Sequence, residues 1–259
     1  MRLDVYLASS GLAKSRSRAA ELISGGYVTV GGKVVTKASH PVDECDEVLV
    51  TGEEHVFVGR GGMKLDAALE RFGTDVTGLV CADIGASTGG FTDCLLRRGA
   101  IRVYAVDSGS GQLDPVLRED KRVINLENTN ARYLDESVIP DLCSLAAADL
   151  SFISQTLVMD AVKNILSDDG IYIALIKPQF ECGREAVGKG GIVKDKKQHT
   201  AAVRKVLACA SASGLAPQAV MKSPIKGGDG NTEFLFIAKK GEISRVTERD
   251  IQNAVNSDE

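Results

Sequence analysis

The chain has 259 residues, 44% hydrophobic and 25% charged, an ordinary globular composition long enough for one large α/β domain plus a small one. Its net charge of −4 provides no global basic field that would advertise nucleic-acid binding, so any such contact must come from a local patch. No apolar run reaches the ~18 residues of a bilayer span and no signal peptide is legible, while six scattered cysteines, with no CxxC and no metal-like pairing with histidine, read as reduced buried thiols of a cytoplasmic protein.

The first 40 residues stand apart, with six Lys/Arg against Asp4 and Glu21. Leu3, Val5, Tyr6 and Leu7 predict a short helix that Gly11 ends. Ser15 can cap a second helix with Ala19, Leu22 and Ile23 on its apolar side and Lys14, Arg16 and Arg18 around its start. Gly25-Gly26 turns the chain into Tyr27–Val30, Gly31-Gly32 signals a hairpin, Lys33-Val34-Val35 returns, and Val48–Val50 is a last strand. The order Arg2-Leu3-Asp4, Lys14 to Ile23, then Gly26 to Lys33 resembles an S4-type RNA-binding domain over about 50 residues. A basic helix start and hairpin can dock on phosphates; a solvated basic face is the competing reading of the charge alone. Residues 53–60 read as a linker between a domain at 1–52 and another at 61–259. His40, His55 and His199 read as solvated, with nothing to assemble them as metal ligands.

Gly61 to about Phe72 predicts a helix, with Leu65, Ala68, Leu69 and Phe72 at helical spacing and Lys64 in its first turn, an unfavourable place for a cation facing the macrodipole. Strands follow at about 79–84, 103–107, 123–127, 145–149, 171–176, 216–221 and 233–238, with helices at about 90–98, 154–166 and 195–212 and a short one between Ser244 and Val255. This alternation predicts an α/β fold with a mostly parallel sheet and ligands at the strand C-termini. The link from Pro224 to Asn231 is too short for a crossover helix, so the last two strands should pair antiparallel, which fits a methyltransferase variant of the Rossmann architecture better than a dehydrogenase.

The stretch from Asp83 through Gly85, Ala86, Ser87, Thr88, Gly89, Gly90 and Phe91 joins the first of these strands to a helix. Its small residues let backbone approach a ligand. Ser87 replaces the second glycine of GxGxxG, which argues against a dinucleotide. Asp83 can face a cation such as the sulfonium amino acid of S-adenosylmethionine (SAM), and Asp107, 22 residues after Gly85, can accept from a ribose diol. A plain strand-to-helix turn is the alternative. Asp149, Lys177 and Glu233 also mark strand ends that would meet at one rim.

Here a wider resemblance emerges. Asp83 to Asp93, Val103 to Asp107, Asp149 to Ser154, Ile176 to Glu181, Gly59 to Leu65 and Gly228 to Glu233 resemble the TlyA family over nearly the whole chain. Bulkier residues are common in the family where Ser108 and Ser110 stand. The resemblance implies a Rossmann-like, FtsJ/RrmJ-type methyltransferase domain behind the S4-like one. It also implies SAM as cofactor, no metal, and ribose 2′-O-methylation of cytidine in 16S and/or 23S ribosomal RNA, with ribosomal RNA or subunits as partner. Matched residue by residue, the family's catalytic tetrad falls on Lys64, Asp149, Lys177 and Glu233. Lys177 then either deprotonates the 2′-hydroxyl or, as an ammonium, orients it.

The 177–205 segment carries eight Lys/Arg against three acids. The RNA-contacting set expected is therefore Arg2, Lys14, Arg16, Arg18, Lys33, Arg60, Arg184 and Lys189. Two other functions compete: a non-catalytic RNA-binding or assembly factor, and a membrane-active haemolysin, a name some family members carry. The second lacks a spanning segment or a long basic amphipathic helix.

Overall fold

The computed structural model describes residues 1–13, 16–43, 45–50 and 57–257. Contacts divide the chain into two units, Met1–Val56 and Phe57–Glu259.

In the first unit Leu3 and Leu7 of α1 (Leu3–Ser9) and Ala19, Leu22 and Ile23 of α2 (Arg16–Ser24) bury against Val28, Val42 and Val48. Three short strands, β1 (Val28–Val30), β2 (Lys33–Val34) and β3 (Val48–Val50), form an antiparallel sheet in the order β2-β1-β3. Gly31 and Gly32 both have positive φ, 56° and 77°, as the tight two-residue hairpin between Val30 and Lys33 requires. Ser15, expected to cap α2, lies outside the described residues.

The second unit runs α3 (Gly61–Phe72), β4 (Val80–Ile84), α4 (Gly90–Arg97), β5 (Arg102–Val106), α5 (Pro115–Glu119), β6 (Val123–Leu126), β7 (Cys143–Ala148), α6 (Met159–Ile165), β8 (Leu166–Ile176), α7 (Pro178–Glu181), α8 (Lys196–Ala212), β9 (Leu215–Lys222), β10 (Phe234–Lys240) and α9 (Glu248–Asn256). Its seven strands lie in the order β6-β5-β4-β7-β8-β10-β9. β4 to β8 are parallel, and β10 runs antiparallel to both neighbours.

Alternate residues along each strand feed opposite faces. Ala82, Ile84, Ala146, Ala148, Tyr172, Ala174, Phe234 and Phe236 pack under α6, α8 and α9. Cys81, Val103, Ala105, Leu145, Ala147, Ile173 and Leu235 pack under α3 and α4. The result is a helix–sheet–helix sandwich, the α/β architecture expected.

Several local expectations need correction. The helix expected at 154–166 is a Ser154-capped 3-10 turn, Gln155–Leu157, followed by α6. β8 starts at Leu166, which pairs with Cys143, earlier than expected. His199 is not solvated: it faces inward from α8, its Nε2 lies 2.8 Å from the Val193 carbonyl and its ring packs edge-on against Phe234. His55 lies outside the described residues. Cysteines 81, 94 and 143 are buried, but Cys45 is exposed; burial pushes the Cys81 and Cys143 thiols up to about 12. Residues 57–60, read as the end of the linker, pack with the second unit: Phe57 is buried in its core and the Val58 amide donates to Asp93.

Candidate active site

Register brings the strand ends together. Ile84 pairs with Val106 and Ala148, Ala148 with Ala174, and Ile176 with Phe234. The next residue out on each parallel strand, Gly85, Asp107, Asp149 and Lys177, and the residue before β10, Glu233, therefore stand on one rim.

The turn after β4 is built for close approach. Gly85 has φ +86°, and a Cβ there would fall 2.6 Å from the Asp149 carbonyl oxygen. A Cβ on Gly59 would fall 2.7 Å from Thr88 Oγ1, and one on Gly90 2.9 Å from the Gly62 amide nitrogen, so the Gly59–Gly62 segment lies directly against the turn. Ser87, which broke the dinucleotide spacing, takes a left-handed φ of 49°. α4 starts at Gly90 with its first turn facing this loop.

Asp83 is fully buried. Its Oδ2 accepts from the Thr92 amide at 2.8 Å and the Thr92 hydroxyl at 2.7 Å, while Oδ1 has no partner. Burial, and then the negative charges of Asp149 and Asp107, push its carboxyl up to about 7. An orphaned buried acceptor of this kind fits a cationic group of a ligand. Asp107 accepts from the Ser87 amide at 2.8 Å and the Gly109 amide at 2.7 Å, so the acid ties the turn to the loop after β5. At the end of β6, Glu127 accepts from the Gln112 and Leu113 amides at 2.7 and 3.2 Å, which hold its carboxyl down to about 2. The glycine turn, Asp83 and Asp107 thus form one cradle at the strand ends that could hold a small cofactor with a cationic end. Among the described residues no group of three or more His, Cys, Asp or Glu could hold a metal ion.

Beside the cradle lies a chain of alternating charges. Lys177 Nζ is 2.6 Å from Asp149 Oδ1 and donates to Ser151 Oγ at 2.8 Å. Asp149 Oδ2 is 3.8 Å from Lys64 Nζ, which donates to Glu233 Oε2 at 2.6 Å. Lys64 and Glu233 are buried, and Lys177 and Asp149 are more open. Glu233 explains how a cation survives in the first turn of α3. The four residues matched to the family's tetrad are therefore contiguous. Phe152, two residues beyond Leu150, is 92% exposed with φ +64° and its ring 5.3 Å from that of Phe180.

The basic residues are scattered more widely. Arg2 and Arg16 both bond Asp4, at 2.9 and 3.0 Å, which holds that buried carboxyl down to about 2. Lys33 is exposed on β2; Lys14 and the side chain of Arg18 lie outside what is described. Arg60 precedes α3 with its guanidinium beside Gly228, and Arg184 and Lys189 are exposed on 3-10 turns. Residue-by-residue reading missed Ser151, Glu127, Glu181 and Asn231. Asn231, nearly fully buried, accepts from the Val193 amide and donates to the Gly191 carbonyl, both at 3.0 Å, fastening the basic loop next to Glu233.

Residues 57–240 match the family described as FtsJ-like methyltransferase, and residues 1–48 match the S4 domain. The chain belongs to the FtsJ-like methyltransferase family. Over 256 residues it is 41% identical to the 16S/23S rRNA (cytidine-2′-O)-methyltransferase TlyA of Mycobacterium tuberculosis, covering 98% of this chain and 96% of that one. It is also 41% identical to Hemolysin A of Brachyspira hyodysenteriae over 240 residues, 91% and 98% of the two chains. A solved candidate haemolysin from Streptococcus thermophilus superimposes with a TM-score of 0.80 at 39% identity, over 98% of this chain and 94% of that one. The FtsJ-like match spans the unit that holds the seven-stranded mixed sheet.

Proposed function

We propose that this protein is a SAM-dependent methyltransferase that modifies the ribose 2′-hydroxyl of cytidine in ribosomal RNA, with the S4 domain adding RNA affinity. The observation that carries the reading is the unbroken chain Lys177–Asp149–Lys64–Glu233 beside the Asp83 cradle. The M. tuberculosis relative's name supplies the nucleotide.

The fit to SAM rests on the unpartnered Asp83 Oδ1, suited to the amino-acid ammonium, and on Asp107 one strand away, suited to the ribose. Bound there, SAM would supply an electrophilic methyl group. What the chain itself must do is hold a weak nucleophile in line, because alignment supplies much of the rate in such a displacement. Lys177 as an ammonium has three donors. Ser151 accepts one of them and the Asp149 carboxylate pairs with the charge, which together fix the side chain and leave a donor to hold the 2′-oxygen. Lys64 and Glu233 in turn hold Asp149. The hydroxyl proton becomes acidic as the new bond forms and passes to water. Phe152 offers an exposed aromatic face at the rim on which a base extruded from its stack can lie.

The test is methyl transfer from labelled SAM to ribosomal RNA and subunits lacking the modification, followed by mapping of the nucleotide. Lys177→Ala should abolish transfer with SAM binding retained. Transfer by Lys177→Ala at the wild-type rate removes it from the mechanism.

A further inference from the structure

The loop that carries Ser151 and Phe152 is held from below as well as from the site. Glu181 ends α7, four residues after Lys177, and its side chain is only 1% exposed. Oε1 accepts from the Gln155 amide at 2.7 Å and Oε2 from the Ser154 hydroxyl at 2.6 Å. Lys205 of α8 donates to the Glu181 carbonyl at 2.9 Å and lies 3.1 Å from Oε2. Gln155, also buried, donates from Nε2 to the Leu175 carbonyl at 3.0 Å and accepts from the Tyr172 hydroxyl at 2.7 Å. Every polar atom of the Glu181 carboxylate and the Gln155 amide group thus has a partner, as a rigid buried network requires.

These bonds join two segments with no covalent reason to stay in register. One follows β7 and bears Asp149, Ser151 and Phe152; the other follows β8 and bears Lys177. Phe152 has a left-handed backbone, a strained conformation for a non-glycine residue unless its surroundings hold it. The Lys177 contacts to Asp149 and Ser151 hold the loop at its start, and Glu181 holds it at its end, at Ser154 and Gln155.

We propose that Glu181 is a positioning residue for methyl transfer: it braces the 149–155 loop against α7, so that Ser151 and Phe152 stand in fixed relation to Lys177. Glu181, its side chain only 1% exposed, is buried beneath the loop. The catalytic part of this inference rests on the methyltransferase reading above; the brace itself does not.

Two measurements separate them. The first is amide hydrogen exchange in the full-length protein without substrate. Glu181→Ala should speed exchange at Gln155 and its neighbours by at least about tenfold, because the bond that protects that amide is gone. Glu181→Gln keeps a carbonyl acceptor for the Gln155 amide and an NH2 that Ser154 can accept, and should stay near wild type, which also covers a failure of the alanine variant to fold. The second is the single-turnover rate at saturating RNA, normalised to SAM-binding sites. Glu181→Ala should lower it about a hundredfold, the scale of an ångström misplacement, with SAM affinity unchanged, and Glu181→Gln by no more than about fivefold, one ordinary hydrogen bond. Unchanged exchange at 151–155 in Glu181→Ala overturns the brace whatever the activity. Altered exchange with a wild-type normalised rate leaves Glu181 a structural residue and overturns the catalytic part. A wild-type protein that methylates no ribosomal RNA refutes the proposed function, and the exchange comparison still decides the brace.

Discussion

Lys64 and Glu233 provide the sharpest test of how this site is balanced. Their side chains are 9% and 3% exposed and meet at 2.6 Å. Removing one partner of a buried pair strands the other charge, at a cost of about 3–5 kcal/mol. In Glu233→Ala the Lys64 ammonium retains, among the described residues, only Asp149, 3.8 Å away and itself engaged by Lys177. The lower end of that range is expected, about 3 kcal/mol, or roughly a hundredfold in the folding equilibrium. Lys64→Met strands the Glu233 carboxylate instead, a destabilisation of the same kind. The double variant Lys64→Met/Glu233→Leu removes both charges and both desolvation penalties, and should recover most of the loss while remaining inactive. With no tryptophan in the chain, urea unfolding followed by circular dichroism is the suitable assay, read on the transition of the second unit. A Glu233→Ala midpoint equal to wild type would refute the argument, because the pair would then contribute nothing that its burial predicts. A double variant less stable than either single one would refute the claim that the pair is retained for function.

Two further perturbations follow from shifted carboxylates. The Asp83 carboxyl lies at about 7 in the folded protein against 3.8 in the unfolded chain. The folded state therefore holds the proton more tightly, and this contribution to stability is full below about pH 4 and lost as pH rises to about 7; Asp83→Asn, which keeps an acceptor for Thr92, should flatten that decline and weaken SAM binding, and a wild-type pH profile in the variant would refute it. Asp4 is the opposite case, held at about 2 by Arg2 and Arg16, so its contribution is present above about pH 4 and lost as pH falls through about 2. Asp4→Asn should destabilise the first unit at neutral pH but release two guanidinium groups, steepening the salt dependence of RNA binding; an unchanged salt slope would take Arg2 and Arg16 out of the RNA contact.

The parts of the fold legible in the sequence are those whose signal is local. Short apolar runs rich in β-branched and aromatic residues, such as Val103–Val106 and Ile171–Ile176, read as buried strand, and the hydrophobic spacing of Leu65, Ala68 and Leu69 as helix. α5 and α7 were missed because five and four residues carry no periodicity, and because the proline that starts α7 was available as a strand stop. Pro178 is both: it ends β8 and supplies the first residue of α7, where its missing N–H costs nothing. The early start of β8 was hidden by Ser167-Asp168-Asp169-Gly170, whose composition spells a turn although Leu166 beside it pairs with Cys143. His199 looked solvated because one histidine among lysines gives no sign of which helix face turns inward; the Val193 carbonyl and Phe234 decide that, and both come from elsewhere in the chain.

The same distinction explains why the charged residues of the site could be read while their supports could not. In a parallel sheet the residue after each strand falls on one rim by construction, so Asp107, Asp149 and Lys177 follow once the strands are known. Glu233 needs one more step. Because β10 runs against its neighbours, its first residues, not its last, reach that rim; a parallel β10 would carry Lys240 there and leave Lys64 without its carboxylate. The short glycine-rich link from Pro224 to Asn231 dictates that reversal, so the sequence does hold the information, but in the length of a loop. Lys64 comes from neither a strand nor its end. It arrives because Gly59 and Gly90 let two backbones touch, which presses the start of α3 onto the turn. Ser151, Glu181 and Asn231 depend wholly on such meetings: each makes its side-chain bonds to residues 24 to 40 positions away. A charge that waits at a strand end can be found by counting, whereas a group that holds two loops together is visible only when both loops are in place.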